Sequence, residues 1–161
     1  GRDRCEDYAD KFGVPFYKGE KPWGIKVDIA MPCATQNEIG IKEAKQIIAN
    51  GTKYYIEVAN MPTTEEALNF LIDRKDIIVA PSKAVNAGGV CVSGLEMSQN
   101  SQRLSWTAEE VDEKLHNAMI NIHKHSVEAA EKYGLGYDLV AGANIAGFEK
   151  VAEAMMAQGI Y

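Results

Sequence analysis

Cysteine is scarce in this chain of 161 residues, and what there is does not pair. Cys5, Cys33 and Cys91 are an odd number without Cys-x-x-Cys spacing, which excludes a disulfide framework and a thiolate zinc site; all three are expected to be reduced. Long apolar runs are missing as well. None approaches the roughly 18 residues of a membrane-spanning helix, so no membrane partner is expected. There is no basic stripe: 17 Lys and Arg are scattered among 23 Asp and Glu, for a formal charge of −6, which leaves a phosphate backbone nothing to track and excludes nucleic acid. Gly-x-Gly-x-x-Gly, a Walker loop, Gly-x-Ser-x-Gly and a zinc-binding helix motif are all absent, and no residue stands out as a general base. His116, His123 and His125 fall on one helical stretch with no Glu or Cys constellation around them. They read as surface histidines, and no metal is expected.

What remains is a globular composition, 46% hydrophobic and 25% charged, enough to bury one core. No repeat, low-complexity tract or linker interrupts it. Residues 1–161 are therefore read as a single domain, with the cytoplasm as the expected address. The chain opens Gly1-Arg2-Asp3-Arg4, in charged, helix-like sequence without an initiator Met, so a piece of a longer protein is expected.

A helix is predicted from Asp3 to Phe12, closed by Gly13, then a short strand over Val14 to Tyr17 and a turn over Lys18 to Gly24. Ile25 to Met31 reads as a strand stopped by Pro32. Ile41 to Ala49 spaces its apolar residues three and four apart, as a helix does, and Asn50-Gly51 ends it. Lys53 to Val58, β-branched and aromatic, is a second strand. Thr63 and Glu66 offer a capping box for the helix that follows. Ile77 to Ala80, stopped by Pro81, is a third strand; the polar, glycine-rich stretch Asn86 to Asn100 reads as a bend running into a helix from about Gly89 to Leu104. Thr107 with Glu110 caps the next helix, whose stripe includes Val111, Leu115, Met119 and Ile122, and Gly134 and Gly136 end it. The last helix is predicted to start at Gly142 and to keep its apolar period through Phe148, Val151, Met155 and Met156. Strands and helices alternating at about 25-residue intervals are the βαβ signature. The expected fold class is α/β, a parallel sheet flanked by helices, with three loops along one sheet edge.

Loops at the carboxyl ends of parallel strands are where such folds bind ligands. Thr35, Gln36, Asn60 and Asn86 each lie just after a predicted strand, and each carries a neutral donor or acceptor. Such groups suit the sugar and amide parts of a nucleotide better than acid–base catalysis. They suit helix caps and turns equally well, and the residues alone do not choose. Gly88 and Gly89 are read as letting a ligand or another backbone come close. Ser93 is either a ligand contact or a hydroxyl bonded back to the preceding turn, and the residues favour the second. Cys33 has the setting of a reactive thiol, but a nucleophile needs a positioned base.

Five segments carry a resemblance: Pro32-Cys33-Ala34-Thr35-Gln36-Asn37-Glu38, Asn60-Met61-Pro62-Thr63-Thr64, Asn86-Ala87-Gly88-Gly89-Val90, Ser93-Gly94-Leu95-Glu96-Met97-Ser98-Gln99-Asn100 and Gly142-Ala143-Asn144-Ile145-Ala146-Gly147-Phe148. In order and over nearly the whole chain, they look like the bacterial hexameric glutamate dehydrogenases, in the C-terminal part of that family's chain. The resemblance implies a Rossmann-like partial dinucleotide-binding domain whose first βαβ half is absent, with residues 1–88 as the βαβ part and 89–161 as C-terminal helices. It implies oxidative deamination of L-glutamate to 2-oxoglutarate and ammonium, and the reverse, with hydride passing to or from NAD or NADP. Val58 and Ser82 stand where much of the family has glycine; a branch sharing these features leans to NAD, hence a lean to NAD here. By position, Ala34, Thr35, Gln36 and Asn60 match residues around the nicotinamide and its ribose, and Asn86 one near the carboxamide. Val90 and Ser93 match positions enclosing the substrate side chain, Ser93 holding its distal carboxylate, while Cys33 is a bystander. The family's catalytic lysine and aspartate, its lysines for the substrate carboxylates and its glycine fingerprint belong upstream of Gly1. No catalytic residue is therefore assigned in this chain, which alone is expected to be inactive. The implied partners are an N-terminal substrate domain and, for the full-length family, a homo-hexamer.

Two other readings stand beside this one. A non-catalytic ligand-binding or assembly module would keep the fold alone, and a reading frame that begins at Gly1 would favour it. An unrelated enzyme using Cys33 as nucleophile would lose turnover on labelling with even a small thiol reagent.

Overall fold

The computed structural model describes residues 4–159, so Asp3, the predicted start of the first helix, lies outside them. The sheet has three parallel strands in the order β1 (Ile29–Ala30), β2 (Tyr54–Ile56) and β3 (Ile78–Ala80). Helices α2 (Ile41–Ala49) and α3 (Glu65–Ile72) form the two crossovers; α1 (Cys5–Phe12) precedes the sheet, closed by Gly13 at φ 64°. After β3 come α4 (Ser82–Val85), α5 (Ala87–Gln102), α6 (Ala108–Lys132) and α7 (Leu139–Gln158).

The ladder pairs Ala30 with Tyr55 and Tyr55 with Val79, so these three side chains share one face of the sheet, because alternate strand residues point the same way. All three are buried, and with Ile39, Ala44, Ile47, Ala67, Leu71 and Ile77 they make the core under α2 and α3. The opposite row, Ile29, Tyr54 and Ile78, is exposed.

Two expectations for the first strands fail for identifiable reasons. Val14 to Tyr17 is not a strand; the segment is exposed and joins no ladder. Of the strand expected over Ile25 to Met31, only Ile29–Ala30 pairs. Its earlier carbonyls bond to other groups: Asn50 Nδ2 donates to Ile25 O, Thr52 Oγ1 donates to Val27 O, and the amides of Lys53 and Tyr54 both donate to Asp28 O.

The C-terminal helices are placed by close approach. A methyl on Gly142 would sit 1.9 Å from Ser126 O, so only glycine lets α7 cross α6 at this distance. The capping box of Thr107 and Glu110 forms as expected, with Thr107 N donating to Glu110 Oε2 at 2.7 Å and Glu110 N to Thr107 Oγ1 at 3.2 Å. Helix α7 starts three residues before the predicted Gly142, because Asp138 Oδ1 accepts from Val140 N and Ala141 N and caps it there. Its periodic residues Phe148, Val151, Met155 and Met156 are exposed. The capping box expected from Thr63 and Glu66 does not form. Thr64 is the residue that precedes α3, and the Thr63 hydroxyl is engaged elsewhere.

At the start of α2, Glu43 accepts from Gly40 N at 3.0 Å and from Lys21 Nζ at 3.2 Å. Backbone N–H groups, its own first, together with Lys21, hold its carboxyl below the ordinary value of 4.5. A lowered folded-state value gives stability that is present above the ordinary value and lost as pH falls through the lowered one. Glu43→Gln should therefore cost about 0.3–1 kcal/mol at pH 7, and the difference from the parent, measured by urea unfolding, should vanish in acid. Gly142→Ala should cost about 1–3 kcal/mol by overpacking, read as a lower urea midpoint.

Candidate functional site

Three segments leave the carboxyl ends of the strands, and backbone bonds tie the first two to each other. Ala59 N and Val58 N donate to Pro32 O at 3.0 and 3.2 Å, Asn37 N to Met61 O at 2.9 Å, Ile39 N to Pro62 O at 2.9 Å, and Thr64 N to Ile39 O at 3.0 Å. Ile39 and Thr63 form a parallel bridge. The loops after β1 and β2 thus run side by side beyond the sheet. Asn37 and Met61 take left-handed backbone, at φ 54° and 46°. Asn tolerates this, whereas for Met it costs about 1–2 kcal/mol, strain that the flanking bonds hold in place.

Beneath the loops lies a polar cluster that sequence reasoning missed. Glu57, 3% exposed, has its carboxylate between two segments: Thr63 Oγ1 donates to Oε1 at 2.6 Å and Ser82 N donates to Oε2 at 3.1 Å. Thr63 Oγ1 also lies 2.6 Å from Tyr55 Oη. Burial pushes the Tyr55 phenol well above its ordinary value, so it stays protonated and able to donate. The only sequence signal was an acid at the end of a strand otherwise read as buried, a place where a carboxylate needs partners.

Above the cluster, Asn86 Nδ2 donates to Asn60 Oδ1 at 2.6 Å and lies 3.2 Å from Val58 O. Two of the four predicted polar residues are therefore in contact although 26 positions apart. Asn86 Oδ1 and Asn60 Nδ2 have no partner among the described residues. Thr35 and Gln36 stand exposed on the loop after β1 with Ala34, and Thr35 N is 3.5 Å from Glu38 Oε2. Neither Thr35 nor Gln36 bonds to the asparagine pair.

The stretch from Asn86 onward differs from the expected bend. Pro81 leads into α4, and α5 follows from Ala87, so Gly88, Gly89 and Ser93 are helical. A methyl on Gly88 would meet Leu115 Cδ1 at 3.1 Å and Met119 Sδ at 3.2 Å; this glycine admits α6 rather than a ligand. Gly89 faces open space. Val90 is 75% exposed. Ser93 Oγ donates to Gly89 O at 3.1 Å, the back-bonded state that the residues favoured. To hold a carboxylate its hydrogen would swing outward and give up a bond of about 1 kcal/mol. Nearby, Lys83 of α4 donates to Asn144 of α7, tying the third segment to the last helix. All three cysteines are free, and Cys33 is exposed with Sγ 3.3 Å from Met31 O. Among the described residues, no group of three His, Cys, Asp or Glu is placed to hold a metal ion.

The model of the Glutamate/Leucine/Phenylalanine/Valine dehydrogenase family matches residues 2–159. The chain is 71% identical over 160 residues to the NAD-specific glutamate dehydrogenase of Clostridium symbiosum, and 52% identical over 165 residues to the NADP-specific glutamate dehydrogenase of Haemophilus influenzae. Each alignment covers 99% of this chain and 36% of the relative. A solved glutamate dehydrogenase superposes with a TM-score of 0.95 at 71% identity, over 99% of this chain and 35% of that one. The chain thus spans about a third of the length of the proteins it matches.

Thr63→Val would leave Glu57 Oε1 without a donor in a buried place. It should destabilise the chain by about 1–3 kcal/mol, seen in urea unfolding, while Thr63→Ser should stay close to the parent.

Proposed function

Since the chain belongs to the Glutamate/Leucine/Phenylalanine/Valine dehydrogenase family, we propose that it forms the nicotinamide side of the cofactor site, and one wall of the substrate pocket, in an enzyme that interconverts L-glutamate with 2-oxoglutarate. In the oxidative direction, glutamate, water and NAD or NADP in its oxidised form give 2-oxoglutarate, ammonium, the reduced cofactor and a proton. Bound nicotinamide supplies the hydride acceptor. The division into a βαβ part over 1–88 and helices over 89–161 goes with this reading, as do an N-terminal substrate domain and a homo-hexamer as partners.

The observation that carries the proposal is the Asn60–Asn86 pair. Held to each other at 2.6 Å, the two amides keep one acceptor, Asn86 Oδ1, and the donors of Asn60 Nδ2 for a ligand. A carboxamide offers the complementary donor and acceptor. Their partners are neutral, which suits an uncharged carboxamide better than a phosphate. The Ala34-Thr35-Gln36 loop, exposed and next to the Asn60 loop, bounds the ribose side.

The substrate end falls to α5. Val90 gives an apolar wall to the methylenes of glutamate, and Ser93 Oγ, one turn on, takes the distal carboxylate once its bond to Gly89 O is released. No residue of this chain is assigned proton transfer. The higher identity to an NAD-specific relative than to an NADP-specific one, with Val58 and Ser82 in place of glycine, favours NAD.

In the protein that contains this chain, Ser93→Ala should raise KM for glutamate about 10-fold or more, the loss of a hydrogen bond to a charged group, with KM for NAD within about twofold. Steady-state kinetics with each substrate varied checks this, and an unchanged glutamate KM removes Ser93 from the pocket. The same KM for glutamate with a raised one for NAD would move it to the cofactor side.

A further inference from the structure

Glu57 carries no role in the reading above, yet its place in the fold is specific. It is the residue after the last residue of β2, its backbone N donates to Ala80 O at 3.0 Å, and its side chain is 3% exposed. One carboxylate oxygen takes the hydroxyl of Thr63, on the segment that carries Asn60; the other takes the backbone N–H of Ser82, the first residue of α4. Asn86 ends α4, its backbone N bonded to Ser82 O at 2.9 Å. The side chain of Glu57 therefore grips both segments whose asparagines meet above it.

We infer that Glu57 is a positioning residue for the nicotinamide face: by holding Thr63 and Ser82 on its two oxygens it fixes the spacing of Asn60 and Asn86. The inference rests on the proposal that this pair receives the carboxamide. Three arguments support it. The anchors are short and independent of each other, one a side chain and one a backbone amide. A buried carboxylate without donors is costly, so the two segments and the carboxylate are held together or released together. The pair itself rests on one amide–amide bond and a bond to Val58 O, and Val58 is the residue that follows Glu57.

The hydroxyl relay gives a test that a space-filling role would not pass. Either Tyr55 Oη or Thr63 Oγ1 can be the donor in their bond. Glutamine at position 57 can therefore present its oxygen to Ser82 N and its NH2 to Thr63 Oγ1, with the Thr63 hydrogen turned to Tyr55 Oη; the Tyr55 hydrogen then loses its acceptor, which costs stability but neither grip. Glu57→Gln keeps both grips by reversing the relay, whereas Glu57→Ala and Glu57→Leu lose both, Leu while filling the space. In the protein that contains this chain, NADH affinity is measured by fluorescence titration and the variants are solved crystallographically. Glu57→Gln should bind NADH within about twofold of the parent, and Glu57→Leu should bind about 10-fold more weakly, the loss of roughly one net hydrogen bond, with Asn86 Nδ2 and Asn60 Oδ1 beyond hydrogen-bonding distance. An intact asparagine pair in Glu57→Leu overturns the inference. A separated pair with unchanged NADH affinity upholds the positioning and overturns the ligand assigned to the pair. If Glu57→Leu does not fold, Thr63→Val removes one grip and should give a smaller loss of NADH affinity in the same direction; affinity equal to that of the parent overturns the inference.

Discussion

A carboxylate taken out of water has to be given donors, and at the end of β2 the donors for Glu57 come from the two segments whose asparagines, Asn60 and Asn86, meet above it. This constraint joins the sheet to everything above it. The Thr63 hydroxyl reaches Glu57 from the entry to α3, and the Ser82 amide reaches it from the entry to α4. Tyr55, buried on the core face of the same strand, closes the relay from below. The polar cluster is thus continuous with the apolar core at Tyr55, and the loops that carry Asn60 and Asn86 stand on it.

The helical part is held by different means. Helix α6 meets α7 where Gly142 leaves room for Ser126 O, and meets α5 where Gly88 leaves room for Leu115 and Met119. Small residues, not polar ones, set these distances. Lys83 with Asn144 is the one described side-chain bond from the strand-end segments to α7. Further along α7 the apolar period continues through Phe148, Val151, Met155 and Met156 without burial. The period of a helix and its burial are separate facts, and only the first is written in the spacing of residues.

That distinction explains what could be read from the sequence. Helix α2 was legible to the residue, because its apolar spacing and the Asn50-Gly51 stop are local. The Thr107–Glu110 box was legible for the same reason. Strand lengths were not, since the carbonyls of Ile25 and Val27 accept from the side chains of Asn50 and Thr52, which follow α2. The start of α5 was misplaced because Gly88 and Gly89 look like a bend, although one of them serves helix packing. The candidate residues Thr35, Gln36, Asn60 and Asn86 could be named from their places after predicted strands. The meeting of Asn60 with Asn86 could not, as it depends on the register of β3 against β2 across a crossover, and neither could Glu57, whose partners come from elsewhere in the chain.

The parallel register has a kinetic side. Tyr55 pairs with Ala30 on one flank and Val79 on the other, so the chain to be closed is nearly the same length in each crossover. The entropic cost of closure grows only slowly with length, which leaves neither crossover with a head start. On closure entropy alone neither neighbour of the central strand is favoured, so any preference in the order of pairing falls to the ladders, two paired positions on the β1 side and three on the β3 side.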